Sequence, residues 1–327
     1  MADEIPGLSP WLLHLCTCLD CGDALSVTQC TEVDEGGRTR TGILLCSSCE
    51  RLWPILAGIP LLVDEPATYL AQYRESVLAS LAEVNLASSK ALSLIDDTIG
   101  SVRADAMRYG DDWTAGEDTA EAHGDTTSDV ASDAASDDRG EAKRLYLQLV
   151  KCNQEAGVTG TVLSMLGAAQ KGLIVEAGPG AGEISRALAE RCEQLLLLDF
   201  SLRSLLRART KAHNEEGAKV GAILCDLSQF DMASECADAI VAANVVDIID
   251  EPQSFLRAAS RWLKADSPFV MTTPDPSLGE GYDEALCEML ESLEYTIDDV
   301  RDDIPWLRRH SSRYSQLYWL QAICASI

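Results

Sequence analysis

Two C-x-x-C pairs, Cys18-Leu-Asp-Cys21 and Cys46-Ser-Ser-Cys49, stand with 24 residues between them near the start of a 327-residue chain. Four thiolates at this spacing close a tetrahedron around one zinc ion, each pair sitting in a hairpin knuckle. Gly22 follows the first pair directly and permits the tight turn that aims backbone amides at sulfur. A domain of roughly 60 residues has little core of its own and needs such a staple. Cys16 and Cys30 fit the ribbon spacing poorly and read as structural or incidental.

A second set of residues belongs to different chemistry. Glu176-Ala-Gly178-Pro-Gly180-Ala-Gly182 follows an apolar run and opens an amphipathic one, the place where a strand turns into a helix. Side-chain-free residues there let the backbone bend sharply and let a ligand lie against amides and the helix N-terminus. Dinucleotide enzymes share the glycines, but their fingerprint is G-x-G-x-x-G. Here the run is G-x-G-x-G with an acid two residues before it, and an acid would repel a pyrophosphate while receiving an ammonium group. Asp199 ends the next apolar run, 21 residues past Gly178, where a carboxylate accepts both hydroxyls of a ribose. Phe200 beside it can stack on a purine. Asp226 ends a third run, placed for an adenine amine, with the amide of Leu227 for a ring nitrogen. Asn244 ends the fourth.

Residues for an acceptor are less sharply marked. Asp247 and Asp275 are rim candidates at strand ends. Trp306, Arg308, Arg309, His310, Arg313 and Tyr314 form a dense basic and aromatic patch on an acidic chain, expected in the segment between the last two strands and able to meet an anionic small molecule or one phosphate. His310 is a weak candidate for a general base.

The elements that must position these groups follow from hydropathy. From residue 172 onward short apolar strands alternate with amphipathic helices, the pattern of a parallel sheet covered on both faces. Strands are expected at 173–178, 195–200, 222–226, 237–246 and 268–273, with helices at 182–192, 201–213, 252–264 and 283–293. The tail, YTIDDVRDDIPWL and QLYWLQAICASI, gives two strands joined too closely for a crossover helix, so they pair antiparallel. Upstream, Tyr69, Tyr73, Val77 and Leu81 and then Val84, Leu86, Leu92 and Ile95 recur at near-helical intervals, a spacer packed on the main domain. A helix over 141–152, with Tyr146 on it, leads into that domain.

Composition sets limits. The chain holds 26 Lys plus Arg against 53 Asp plus Glu, a net charge of -27, which repels phosphate backbones over most of its surface and disfavours nucleic acid as a partner. Residues 96–139 hold thirteen acids against three bases, and TTSDVASDAASDD within them has few large apolar residues, so 110–140 reads as an acidic disordered linker. Asp3 and Glu4 stand where a signal peptide is basic, and no apolar run is long enough for a membrane helix, so a cytoplasmic chain with no membrane partner is expected. The domains are then 1–64, a zinc ribbon; 65–109, a helical spacer; 110–140, the linker; and 141–327, the main domain.

LCTCLDCGDAL and GILLCSSCERLWPILAGIPLLV, covering about residues 12–64, resemble the Trm112-like zinc-ribbon family, with Trp53 in place of the usual tyrosine. That resemblance implies a small zinc-bound β domain, with Cys18, Cys21, Cys46 and Cys49 as ligands, that supports or activates a methyltransferase. EAGPGAG, LLLLDF, LCDL and ADAIVAANVV resemble the first four motifs of class I S-adenosylmethionine-dependent methyltransferases, over about residues 141–327. This second resemblance implies an α/β, Rossmann-like sheet of seven strands with the last antiparallel. It places Glu176, Gly178, Gly180 and Gly182 around the methionine and ribose, Asp199 on the ribose, Asp226 on the adenine and Asn244 near the methyl-donor end.

Methyl transfer from a sulfonium is an in-line displacement with an activated donor, so the protein chiefly aligns the partners and excludes water. The motifs therefore name the cofactor and leave the acceptor open. Val245, Val246 and Asp247 follow the fourth strand instead of the N/D-P-P-Y of amide and adenine-amino methylators, and Cys225 and Cys236 read as small core residues. A small-molecule acceptor is the first reading. An RNA or translation-factor methyltransferase that recruits its substrate through the ribbon is the second, and a non-catalytic zinc-ribbon adaptor is the third.

Overall fold

A computed structural model describes residues 5–100, 143–151, 157–167, 172–213, 219–274, 285–309 and 315–327. The expected linker, 110–140, lies outside them. Eleven strands are present: β1 (Leu25–Val33), β2 (Thr39–Cys46), β3 (Leu52–Leu56), β4 (Ile59–Leu62), β5 (Leu173–Ala177), β6 (Gln194–Asp199), β7 (Lys219–Cys225), β8 (Ala239–Ala243), β9 (Phe269–Thr273), β10 (Thr296–Arg309) and β11 (Ser315–Ser326). They form one sheet in the order β1-β2-β3-β4-β7-β6-β5-β8-β9-β11-β10.

The last seven of these are the expected methyltransferase-type sheet, with β5 to β9 parallel and β11 inserted antiparallel between β9 and β10. Leu195 to Leu198 of β6 are all fully buried, because helices cover both faces and no strand position is left to face water. One face carries helices Val158–Met165, Glu183–Ala189 and Leu202–Ala212, together with the upstream helices Pro66–Gln72, Arg74–Glu83 and Ser89–Gly100. On the other face lie Pro10–Leu15, Pro252–Trp262 and Ala285–Ser292, whose Leu12, Phe255, Trp262 and Leu290 share one core. A helical segment over 143–151 precedes the sheet. Among the described residues, no helix is long and apolar enough to cross a membrane.

Strands β1 to β4 form an antiparallel element at the N-terminal end, a small β domain as expected, and it joins the main domain directly. Its last strand adds in parallel to β7, pairing Leu61 with Leu224 and Leu62 with Cys225. All four residues of β4 are buried, so the strand belongs as much to the main core as to the ribbon. The β3–β4 turn places Ala57 and Gly58 at φ 53° and 74°, the pair of left-handed residues that a two-residue hairpin needs. Arg209, 4% exposed, reaches that turn from helix Leu202–Ala212 and donates to the Ala57 carbonyl at 2.7 Å. On the opposite face Trp11 lies so close to Gly221 that a Cβ there would meet its ring at 2.9 Å. The boundary near residue 64 is legible as a change of motif, whereas packing runs across it.

Candidate functional site

The four cysteines converge as their spacing requires. Cys18 Sγ lies 3.4 Å from Cys49 Sγ, and Cys21 Sγ 3.4 Å from Cys46 Sγ. All four sulfurs fall within 4.8 Å of one another. A zinc–sulfur bond of about 2.3 Å gives a tetrahedral edge of about 3.8 Å, so the cluster has the right size for the ion. Disulfides are far shorter, and these cysteines are free. Amide N–H groups of Cys49 and Ser48 draw the Cys46 thiol down, while the neighbouring sulfurs push the Cys21 and Cys49 thiols up, as one shared charge among crowded thiols requires. Both knuckles close in the same way: Gly22 N–H donates to the Cys18 carbonyl at 2.8 Å and Glu50 N–H to the Cys46 carbonyl at 2.9 Å. Cys16 is buried and bonds the Leu12 carbonyl, and Cys30 is exposed on β1, so neither joins the cluster. Cys225 is buried beneath β7's tip, while Cys236 is only partly buried.

Arg51, which sequence reasoning missed, ties this centre to the chain just beyond β4. Its guanidinium bonds both oxygens of Asp20 at 2.9 and 2.8 Å, approaches Asp64 and Glu65 at 3.4 and 3.8 Å, and sits over the Trp53 ring at 5.6 Å.

The second site forms where β5, β6, β7 and β8 end side by side. Register sets Ala177 beside Leu198 and Ala242, and Asp199 beside Leu224, so the predicted groups share one rim. Gly178, Gly180 and Gly182 all have positive φ, at 67°, 51° and 81°. A Cβ on Gly178 would strike Val245 Cγ2 at 2.6 Å, and one on Gly182 would strike Ala208 Cα at 2.6 Å. Around Gly180 a Cβ would meet nothing within 4 Å. Two of the glycines are therefore required by packing, and the third leaves an open cradle.

Glu176 lies beneath that cradle, 2% exposed, and its Oε2 has no hydrogen-bond partner among the described residues. Burial, reinforced by the Asp199 charge and opposed by the Ser185 hydroxyl, pushes its carboxyl up to about 7. A buried carboxylate oxygen awaiting a donor fits a cationic ligand group. Asp199 accepts the Ser201 N–H on Oδ1 at 2.8 Å. Asp226 accepts the Ser228 N–H and hydroxyl on Oδ1 at 2.9 and 2.7 Å. Leu227 is buried next to it. Asn244 follows β8 at φ 53°, its side-chain oxygen fixed by the Thr272 hydroxyl at 2.9 Å.

Phe200, 37% exposed, does not stand alone at the β6 tip. The rings of Tyr69 and Tyr73 meet it at 5.0 and 5.8 Å, nearly perpendicular at 87° and 89°. Four residues apart in the sequence, these tyrosines carry the signal of a buried helix face, and nothing local ties them to Phe200.

Acceptor candidates fare unevenly. Asp247 lies in the short 3-10 turn Val246–Ile248, partly buried. Asp275, His310, Arg313, Tyr314 and the side chain of Arg309 lie outside the described residues. Trp306 lies on the strand expected over 295–307, and Arg308 lies on it too, because β10 runs on to Arg309. The cause is cross-strand pairing: Trp306 opposes Tyr318, ring centroids 5.2 Å apart, and Arg308 opposes Gln316. The hairpin thus outreaches the sheet, since β9 pairs with β11 only from Gln321 onward. Its free end has one apolar side, where Pro305 opposes Trp319 and Leu307 opposes Leu317, and Trp319 is 56% exposed.

Strand order, glycine turn and acidic strand tips together define an α/β methyltransferase fold. Residues 175–271 match the family model described as a methyltransferase domain. No curated protein matches the chain in sequence. Solved structures similar to it include a putative methyltransferase from Bacillus halodurans, at 12% identity and TM-score 0.43, covering 51% of this chain and 97% of that one. An S-adenosylmethionine-dependent methyltransferase from Mesorhizobium loti aligns at 16% identity and TM-score 0.41, over 52% and 99%. A complex between the Haloferax volcanii Trm112 methyltransferase activator and the putative methyltransferase aligns at 15% and 0.41, over 58% and 97%. Within the chain, then, a segment that matches a methyltransferase-domain model shares one sheet with a four-cysteine cluster that fits a zinc ribbon.

Proposed function

We propose that the chain transfers the methyl group of S-adenosylmethionine directly to a small-molecule acceptor that has an apolar portion. The observation that carries the acceptor reading is the free end of the β10–β11 hairpin. On a chain of net charge -27 it sets Pro305, Leu307, Leu317 and Trp319 beyond the same strand-end rim as Glu176 and Asn244. An exposed apolar patch beside a catalytic rim suits an apolar ligand, and it offers little to a phosphate backbone.

When bound, the cofactor supplies a methyl group on a sulfonium that leaves as a neutral thioether. The amides beside Gly180 would receive the chain of the methionine, and the Glu176 carboxylate would hold its ammonium. Asp199 would accept the ribose hydroxyls, and Asp226, with one oxygen already committed to Ser228, would keep the other for the adenine amine. Asn244 stands at the donor end, oriented through Thr272. Their work is alignment and exclusion of water, and the transfer itself moves no proton through these groups, Glu176 having given up its own when it meets the ammonium.

Incubating the chain with a cell extract and cofactor labelled on its methyl group, then separating low-mass compounds from RNA and protein, tests this reading. Label in the low-mass fraction, insensitive to added salt, is expected. Label confined to RNA or protein, lost steeply as salt rises, replaces it with the ribbon-recruited macromolecule reading. A bound cofactor at a hundredfold its dissociation constant adds about 2.7 kcal/mol, so a chain whose melting does not move at any cofactor concentration is a zinc-ribbon adaptor instead.

A further inference from the structure

We propose that Tyr69 and Tyr73 are positioning residues for the cofactor, holding Asp199 and Phe200 at the tip of β6 in the attitude that receives the adenosine. The inference rests on the cofactor reading of that rim.

The tip is a short chain of constraints. The Asp199 carboxylate takes the Ser201 N–H at 2.8 Å, and Ser201 Oγ in turn accepts from Ser204 N–H at 3.2 Å to cap helix Leu202–Ala212. Between Asp199 and Ser201 lies the Phe200 peptide, and its carbonyl accepts the Tyr69 hydroxyl at 2.9 Å across 131 residues of sequence. Moving that peptide moves the carboxylate on one side and the helix cap on the other. Tyr69 is 7% exposed. Burial chiefly, with the Asp199 charge behind it, keeps its phenol protonated well above the ordinary range, so the hydroxyl remains a donor at any working pH.

The Phe200 ring is constrained as well. Perpendicular contacts to both tyrosines fix its tilt and leave it 37% exposed. A ring held at a fixed tilt and still more than a third exposed is the kind of surface a base stacks on.

The tyrosines are themselves held in place from both sides. Helix Pro66–Gln72 begins just after Asp64 and Glu65, which face Arg51 of the ribbon. Helix Arg74–Glu83 is clamped to the catalytic domain by Glu83, which meets Arg203 at 2.9 Å and Arg207 at 3.4 Å. Simple core packing would need the Tyr69 ring but not its hydroxyl, and that difference can be measured.

Titration of the full, zinc-loaded chain with S-adenosylhomocysteine, alongside thermal melting, decides it. Tyr69→Phe is expected to weaken binding roughly three- to tenfold, with the melting temperature nearly unchanged and KM for the cofactor raised at constant kcat. Tyr73→Leu, at a half-buried position, should weaken binding in the same direction and carries the test if Tyr69→Phe fails to fold. Parent affinity in both variants overturns this inference and leaves the cofactor reading standing. An unaltered chain that binds no S-adenosylhomocysteine overturns both.

Discussion

In the ribbon, the polar atoms that matter come from two knuckles whose residues are neighbours in sequence, and each knuckle closes with its own backbone bond. In the parallel sheet, Glu176, Asp199, Asp226 and Asn244 come from four strand tips spread over 69 residues of sequence numbering and meet only because the register aligns them. Each region uses left-handed residues at its turns, Gly22 and Glu50 in one and three glycines in the other. A local site thus tolerates imperfect turn chemistry, such as a glutamate at φ 61°, since an ion held by four thiolates would supply binding energy of its own. A site made by register has no such reserve, and its packing glycines cannot be replaced.

The sharpest challenge to this contrast is zinc removal. Because ribbon and catalytic domain share β4–β7 pairing and both cores, a chelator should lower one common melting transition by roughly 10 °C, from about 4 kcal/mol or more of lost metal binding. A low ribbon transition with the remainder unmoved would show two independent units. Next in size, Gly182→Ala should cost about 3 kcal/mol in denaturant titration, since its Cβ would meet Ala208 Cα at 2.6 Å and φ is 81°. Gly180→Ala, with open space around it, should cost about 1 kcal/mol yet weaken cofactor binding at least tenfold. Equal stability losses at the two positions would remove the distinction between packing and cradle.

Glu176 gives a pH test of similar scale. Its carboxyl holds a proton up to about 7 when folded, against an ordinary 4.5, so the folded chain without cofactor binds the extra proton and loses stability as pH rises from about 4.5 through about 7. Glu176→Gln should erase that slope, worth about 3 kcal/mol, and should leave a more stable chain at pH 8 that binds cofactor poorly. An unchanged slope in the variant would place its origin elsewhere. Smallest of all, Glu50→Gly should raise stability by about 0.5–1 kcal/mol without altering zinc content, by relieving the left-handed strain in the second knuckle.

Much of this was legible because its signals are local. The C-x-x-C pairs, the glycine turn and the acid after each apolar run are all short-range patterns, and the structure seats every one of them on the element expected. Strand edges moved by at most three residues: β7 begins at Lys219, β8 ends at Ala243, and β10 runs two residues beyond Leu307 through its pairing with β11. The junction could not be read in this way. Arg209 to Ala57 and Tyr69 to Phe200 join residues 152 and 131 positions apart, and each partner alone carries only the pattern of an ordinary helix or turn. The motif at residues 59–62 announces a strand, not which neighbour it will take.

That neighbour matters for how the molecule behaves in solution. Without β4, the outermost strand of the seven would offer the backbone of Ile223 to Cys225 as an unguarded ladder, flanked by apolar side chains. Such a border recruits other chains. By seating Ile59 to Leu62 there, the polypeptide closes its own most adhesive margin and leaves at that end β1, a strand of mixed and largely polar character, as the boundary with water.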